Sequence, residues 1–325
     1  MPRVTVIVPT LAAGAPLERC LAALARQTFR DFETIVVDNG GAVGVAAARV
    51  LRPGSNLGFG AAVNLAIAGS ETELIAVLND DAEPEPAWLE ALTAAADRHG
   101  EAGMFASCVL LGDTGLLDSA GMLLCADGAG KQRGHREPPD RFAMEDEVLF
   151  PSGSAAMYRR AMVAEVGAFP DHFFLYGEDT DLGLRARWAG WSCIYVAGAR
   201  VRHSYSESAG KASLLKAYHV ERNRLFVAAR NFPLGMLLRA PFVALARYWY
   251  HATGGEGAAA AHRASGGSAA GLAWTVLRAH CAAMAAIPRL LGERWALAAR
   301  RRIAAGRFTS LARRFAISAR DVARQ

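Results

Sequence analysis

The sequence predicts an α/β fold: a mostly parallel mixed sheet with helices on both faces, followed by a C-terminal helical extension. Three observations lead there. Short β-branched runs alternate with helix-period segments over residues 1–110, the pattern of parallel strands joined by crossover helices. The runs end in polar residues, as strands do where they meet a ligand edge. After residue 211 the pattern becomes helical and the charge turns basic.

Val4-Thr5-Val6-Ile7-Val8, closed by Pro9-Thr10, reads as a buried strand. Residues 16–26 follow with Leu17, Cys20, Leu21 and Leu24 at helical spacing. Residues 32–37 are the next strand, closed by Asp38-Asn39-Gly40-Gly41, and residues 59–68 a helix. Residues 74–78 are a strand ending in Asn79-Asp80-Asp81, and residues 88–98 a helix behind Pro84 and Pro86. Residues 111–150 read as β-rich or loop, and 151–158 as a loop entering a strand. Residues 178–189 form a helix whose first turn holds Glu178, Asp179 and Asp181, where the helix dipole favours acids. Residues 192–196 are a strand and 200–203 extended. Beyond 211, residues 211–230 suggest a basic amphipathic helix, and the Gly/Ala-rich stretch 253–271 a flexible linker.

Length and composition fit one large domain with an appendage. The net charge of +5 hides an asymmetry. Residues 1–210 hold 17 Lys and Arg against 27 Asp and Glu, and residues 211–325 hold 19 against 4. We therefore expect two parts with separate jobs, an acidic α/β domain over 1–210 and a basic amphipathic, membrane-associated region over 211–325. Residues 234–250 and 271–291 are apolar but interrupted by arginines, too often for a spanning helix. Arginines among Leu, Trp and Phe suit helices lying in an anionic headgroup plane. The five cysteines have neither zinc nor redox spacing, which suggests reduced thiols. With no leader pattern, the expected location is cytoplasmic, peripheral on the cytoplasmic face of the inner membrane. The arginines lack stacking aromatics in a nucleic-acid motif, so no nucleic-acid partner is expected.

The candidate chemistry lies at the strand ends. Asn79-Asp80-Asp81 can offer carboxylate to a hard cation whose remaining ligands are phosphates and water. Such a cation neutralises a diphosphate leaving group. Gly58 and Gly60 let backbone approach a ligand closely. A carboxylate such as Asp179 can accept a proton from a hydroxyl.

The ordered set Val4–Thr10, Val36-Val37-Asp38-Asn39, Asn56-Leu57-Gly58-Phe59-Gly60-Ala61-Ala62-Val63-Asn64 and Leu78-Asn79-Asp80-Asp81 resembles the GT-A family 2 glycosyltransferases, above all their bacterial rhamnosyltransferase-like branch. Pro151-Ser152-Gly153-Ser154 and Phe174-Leu175-Tyr176-Gly177-Glu178-Asp179-Thr180-Asp181 extend the likeness, which covers roughly residues 3–230. The resemblance implies a Rossmann-like GT-A domain and an inverting, metal-dependent transfer from a nucleotide-sugar. It implies that Asp38, beside Asn39, binds the base and that Pro9 and Thr10 line its pocket. Asn56, Gly58, Phe59 and Asn64 would flank the nucleotide and diphosphate, with Asp80 near the ribose or sugar. Asp81 would hold Mg2+ or Mn2+, with His203 as a further ligand; an imidazole tilts the choice toward Mn2+. Asp179 would be the catalytic base.

The expected partners are a dTDP- or UDP-sugar donor, a glycan or lipid-linked glycan acceptor, and an anionic membrane. The resemblance puts L-rhamnose from dTDP-rhamnose first among donors and galactofuranose from its UDP donor second. A non-catalytic nucleotide-sugar scaffold on the membrane is the reading from another class. A sugar-nucleotidyltransferase would need a basic Gly-rich loop after the first strand, where this chain has Leu11-Ala12-Ala13-Gly14. The second loop also departs from the family, running Asp38-Asn39-Gly40-Gly41-Ala42-Val43 with fewer polar side chains to hold a base.

Overall fold

A computed structural model describes residues 1–41, 44, 48–204 and 213–325. Ala42 and Val43 of the second loop, and the expected boundary at 210/211, lie outside the described residues.

The first half alternates β1 (Val4–Thr10), α1 (Ala15–Ala25), β2 (Phe32–Asp38), β3 (Arg49–Leu51), α2 (Phe59–Ala68) and β4 (Leu74–Leu78). Next come β5 (Ala82–Pro84), α3 (Trp88–Arg98), β6 (Ala102–Leu111), β7 (Leu117–Ser119), β8 (Met122–Cys125) and β9 (Gly130–Gln132). The main sheet is completed by β10 (Asp146–Glu147), β11 (Ala155–Arg159) and β12 (Ser192–His203), with α4 (Arg160–Val166) and α5 (Glu178–Trp188) between β11 and β12. The remainder is α6 (Leu214–Asn231), α7 (Leu234–Thr253), α8 (Gly257–Ala264), α9 (Ala269–Ala285), α10 (Ile287–Ala298), α11 (Ala305–Arg314), β13 (Ala316–Ile317) and α12 (Ala319–Arg324).

The main sheet runs β10-β12-β6-β11-β4-β1-β2-β3, with β5 on β12 and β7 on β6. β1 pairs in parallel with β2 and β4, and β12 with β6, while β11 runs antiparallel between β4 and β6. The sheet is thus mixed, with the parallel strands that the alternation predicts. β1 is buried along its whole length because both faces are covered. Its period of two sends Val6 and Val8 toward α1 and α3, and Ile7 toward α2 and α5.

Two local readings change. The two extended pieces near residues 192–203 are one strand, irregular between Val196 and Arg200. The supposed linker holds α8, because Ala258–Ala261 are strong helix formers with glycines only at the ends. Its Gly257 abuts α12, where a Cβ would meet the Ala323 carbonyl at 2.1 Å. β13 returns from the C-terminal helices to pair in parallel with β8.

Four cysteines are buried as expected, but Cys281 is exposed. Among the described residues no single helix is long and apolar enough to cross a membrane. α9 and α10 pass that test only as a pair, across a 58° bend.

Candidate functional site

Parallel strands put their C-terminal residues on one edge, so Thr10, Asp38 and Asn79 meet there. The Thr10 hydroxyl donates to the Asp80 carboxylate at 2.5 Å. Burial, with the Asp81 charge beside it, raises the Asp80 pKa against that hydrogen bond.

β5 then brings in a residue from far along the chain. Its antiparallel register sets Ala82 opposite His203, and the Ser204 N–H donates to the Asp81 carbonyl. The His203 Nε2 consequently lies 3.1 Å from the Asp81 carboxylate. Its Nδ1 faces Asp118, on β7, at 3.2 Å. Burial pulls the imidazole down, but the Asp118 and Asp81 carboxylates outweigh it and lift His203 to about 9.

This donor set fits a divalent cation that takes the place of the proton between Asp81 and His203. A six-coordinate ion with bonds of about 2.1 Å holds neighbouring ligand atoms about 3 Å apart, close to the Asp81–His203 spacing. Asp118 orients the ring from behind, as carboxylates do for metal-binding histidines. Among the described residues no group of three His, Cys, Asp or Glu forms a protein-only cage. A site of two protein ligands completed by phosphate and water suits Mg2+ or Mn2+.

The turn at Gly153-Ser154 ties this corner to Asp179. The Ser154 carbonyl accepts the Asn79 N–H at 2.9 Å, and the Gly153 N–H donates to Asp179 Oδ2 at 3.0 Å. Asp179 Oδ1 accepts the N–H of Thr180 at 2.6 Å and its hydroxyl at 3.2 Å. Burial raises the Asp179 pKa, and these hydrogen bonds oppose it. Its neighbour Glu178 is buried, and burial plus the Asp179 charge lift it to about 8. Among the described residues, one Glu178 oxygen has no hydrogen-bond partner. Burial favours the neutral form at both carboxyls, and at Asp179 the hydrogen bonds from Gly153 and Thr180 oppose it.

The remaining predicted residues mostly hold one another. The Asp38 carboxylate accepts the N–H groups of Gly40 and Gly41 at 3.2 and 2.7 Å, with Arg52 at 3.7 Å. The Asn39 amide donates to the Gly58 carbonyl and its oxygen accepts the Leu57 N–H, each at 3.3 Å. Asn56 accepts the Gly58 N–H at 2.9 Å. Gly58, with φ of 79°, does admit close backbone, but that backbone is the chain's own: a Cβ would lie 2.2 Å from the Phe174 carbonyl. The same carbonyl accepts the Phe59 N–H at 2.7 Å. Asn64 faces the 169–171 loop, donating to the Phe169 carbonyl and Asp171 and accepting the Phe169 N–H. Pro9 lies in β1 opposite Val37.

Sequence reasoning missed Asp118 and Asn223. Asn223, on α6, donates its amide to the carbonyls of Phe173, Leu175 and Tyr176 at 2.6 to 2.9 Å. It clamps a loop in which Phe174 and Tyr176 adopt positive φ. Asp181 is also claimed by the helical region: Arg185, Arg230 and Asn231 surround its buried carboxylate and hold its pKa far down.

Comparison with known proteins agrees with this geometry. Residues 5–167 match the family description Glycosyl transferase family 2, and residues 141–290 match Glycosyl transferase family group 2. An N-acetylglucosaminyl-diphospho-decaprenol L-rhamnosyltransferase of Mycobacterium tuberculosis is 34% identical over 259 residues, covering 70% of this chain and 84% of that protein. GalNAc-T7, solved with UDP, GalNAc and Mn2+, superposes with a TM-score of 0.60 at 13% identity, over 76% of this chain and 51% of its own. The mannosyltransferase PcManGT of Pyrobaculum calidifontis, solved with GDP-Man and Mn2+, gives 0.52 at 19% identity, over 88% and 87%. At these identities the two structures speak for the GT-A fold alone.

Proposed function

The chain belongs to glycosyl transferase family 2 and is a glycosyltransferase; from that premise we propose that it transfers L-rhamnose from dTDP-rhamnose, with inversion, to a lipid-linked glycan of the cell surface. The observation that carries the reading is the Gly153-Ser154 turn, which joins Asn79 of the metal motif to Asp179: the Ser154 carbonyl accepts the Asn79 N–H, and the Gly153 N–H donates to the Asp179 carboxylate. A leaving diphosphate and an acceptor hydroxyl can then be served from opposite sides of one turn. The mycobacterial rhamnosyltransferase supports the donor and the acceptor class.

In this mechanism Asp38, Asn39 and Asn56 shape the nucleotide end and Thr10 positions Asp80 toward the ribose or sugar. Asp81 and His203 would hold Mg2+ or Mn2+, which neutralises the diphosphate when bound. Asp179 accepts the acceptor hydroxyl proton as that oxygen bonds to the anomeric carbon and the bond to the diphosphate breaks. Attack opposite the leaving group inverts the centre, through an oxocarbenium-like transition state.

Residues 1–210 serve catalysis, and the basic helices that follow rest on an anionic lipid surface at the cytoplasmic face. Leu234, Leu238, Phe242, Leu245 and Trp249 form an exposed stripe on α7 at steps of three and four, with exposed Arg239 beside it. Trp274 and Trp295 are exposed on α9 and α10, near exposed Arg278 and Arg289. An apolar stripe with arginine flanks complements anionic headgroups.

The decisive assay is rhamnosyl transfer from dTDP-rhamnose to a GlcNAc-diphospho-lipid with Mn2+ or Mg2+. Asp179→Asn should lower kcat by about 100-fold or more and leave dTDP affinity unchanged by calorimetry. Near-normal turnover would remove Asp179 as base, and transfer only from a UDP-sugar would move the donor.

A further inference from the structure

Tyr218, Arg222 and Phe226 follow one another along α6 at steps of four, so they share a face of that helix. The Arg222 guanidinium lies 5.4 Å from the centroid of the Tyr218 ring and 5.2 Å from that of Phe226. Arg278 of α9 lies 5.6 Å from the same Tyr218 ring, and Arg289 of α10 lies 5.6 Å from the same Phe226 ring. Guanidiniums from three helices are thus gathered on one surface, and each outer one shares an aromatic ring with Arg222.

Arg222 is fixed in that surface. Its Nη2 donates to the His172 and Phe173 carbonyls at 3.2 and 2.8 Å, and its Nε donates to Asn223 Oδ1 at 2.9 Å. Among the described residues its Nη1 has no acceptor, and Arg278 makes no hydrogen bond or ion pair. One carboxylate, Glu293, faces the group, and it is divided among Arg230, Arg289 at 3.7 Å and His172 at 3.6 Å. The acids around it are taken: Asp181 by Arg185 and Arg230, and Glu221 by Arg224 and Arg247. Burial and the neighbouring Arg222 and Arg230 push the Arg289 pKa down, and burial with Arg289 lowers His172 to about 4. The surface therefore holds positive charge in excess of its acids.

Its borders are of two kinds. Leu214 and Leu215 stand one turn before Tyr218, and Trp274 one turn before Arg278, with exposures of 40, 57 and 61%. On the other side runs the loop that leads to Asp179. Arg222 and Asn223 together hold the carbonyls of residues 172, 173, 175 and 176, and Asp179 follows three residues later.

We propose that Arg222, Arg278 and Arg289 bind the diphosphate of a lipid-linked acceptor and set its sugar toward Asp179. This rests on the transferase reading above, in which the donor diphosphate belongs to the Asp81–His203 corner. A guanidinium offers phosphate oxygens two parallel N–H groups. The diphosphate diester of such an acceptor carries two negative charges, and a phosphatidylglycerol headgroup carries one. Two guanidiniums without a carboxylate match the diphosphate, and the exposed leucines and tryptophan receive the start of its tail.

The test uses the full chain with Arg278→Gln and Arg289→Gln, each checked by thermal unfolding; if one fails to fold, the other reads the same site. In EDTA, which keeps metal from recruiting diphosphate to Asp81, farnesyl diphosphate affinity should fall about 10-fold or more in each variant. Binding to phosphatidylglycerol vesicles, which is spread over the other exposed arginines, should fall by a smaller factor. In turnover, KM for GlcNAc-diphospho-farnesol should rise about as much as the affinity falls, while donor KM holds. Unchanged farnesyl diphosphate affinity would overturn the proposal. So would an equal loss of vesicle binding, which would make this a headgroup patch, or an equal rise in KM for octyl GlcNAc, which has no phosphate. If the wild-type chain glycosylates no acceptor yet binds farnesyl diphosphate through these arginines, the transferase reading fails and the anion site stands.

Discussion

The buried carboxyl of Glu178 should make the protein less stable as pH rises, and Glu178→Gln should remove that dependence. Glu178 sits at the first position of α5, 6% exposed, beside Asp179. Burial and the Asp179 charge raise it to about 8, against an ordinary value of 4.5. Below the ordinary value both folded and unfolded chains keep the proton, and the group is neutral to stability. Between the two values the unfolded chain loses its proton while the folded chain retains it, so stability falls by up to about 1.4 kcal/mol per pH unit. Above about 8 the penalty is complete. Coupling to Asp179 and local relaxation reduce the total, leaving a few kcal/mol. Glutamine mimics the protonated carboxyl and cannot ionise. Urea unfolding of both proteins at intervals from pH 4 to 9 isolates the effect as a difference. The variant should match wild type at acid pH and exceed it by a few kcal/mol at pH 8. A difference that stays flat across this range would refute a neutral, buried Glu178.

Gly58→Ala should destabilise the fold by several kcal/mol, because its Cβ would collide with the Phe174 carbonyl and its φ lies in the left-handed region; a wild-type melting temperature would refute that contact. With phosphatidylglycerol vesicles, the full chain should float at low salt and less so at high salt, and Phe242→Glu should cut flotation. A chain that stays at the bottom of the gradient in both salts would sink the membrane reading.

The elements legible in the sequence are those whose pattern is local. α2, α3 and β4 fall at their predicted bounds, since period and end signals lie within each segment. α8 is masked in the sequence by the glycines that flank its alanine run. The site divides on the same line. Thr10, Asp38 and Asn79 are readable as an edge because parallel strands align their ends.

What brings His203 to Asp81 is the register of β5 on β12, a pairing between distant segments that no spacing reveals. Asp118 and Asn223 were missed for the same reason. Each is one polar residue in an unremarkable segment, and its role exists only once β7 reaches His203 or α6 reaches the 173–176 loop. Gly58 shows the limit from the other direction. Its need for close backbone approach was readable, yet the partner is the Phe174 carbonyl of the loop that leads to Asp179. The Asn56–Gly58 turn and the 173–176 loop are therefore one mechanical unit: Asn39 and Asn56 hold Gly58, Gly58 admits Phe174, and Asn223 fixes the carbonyls on either side. A substitution in the Asn56–Gly58 turn should reach Asp179 through this chain of contacts, so that in the proposed mechanism the nucleotide end and the proton acceptor cannot vary independently.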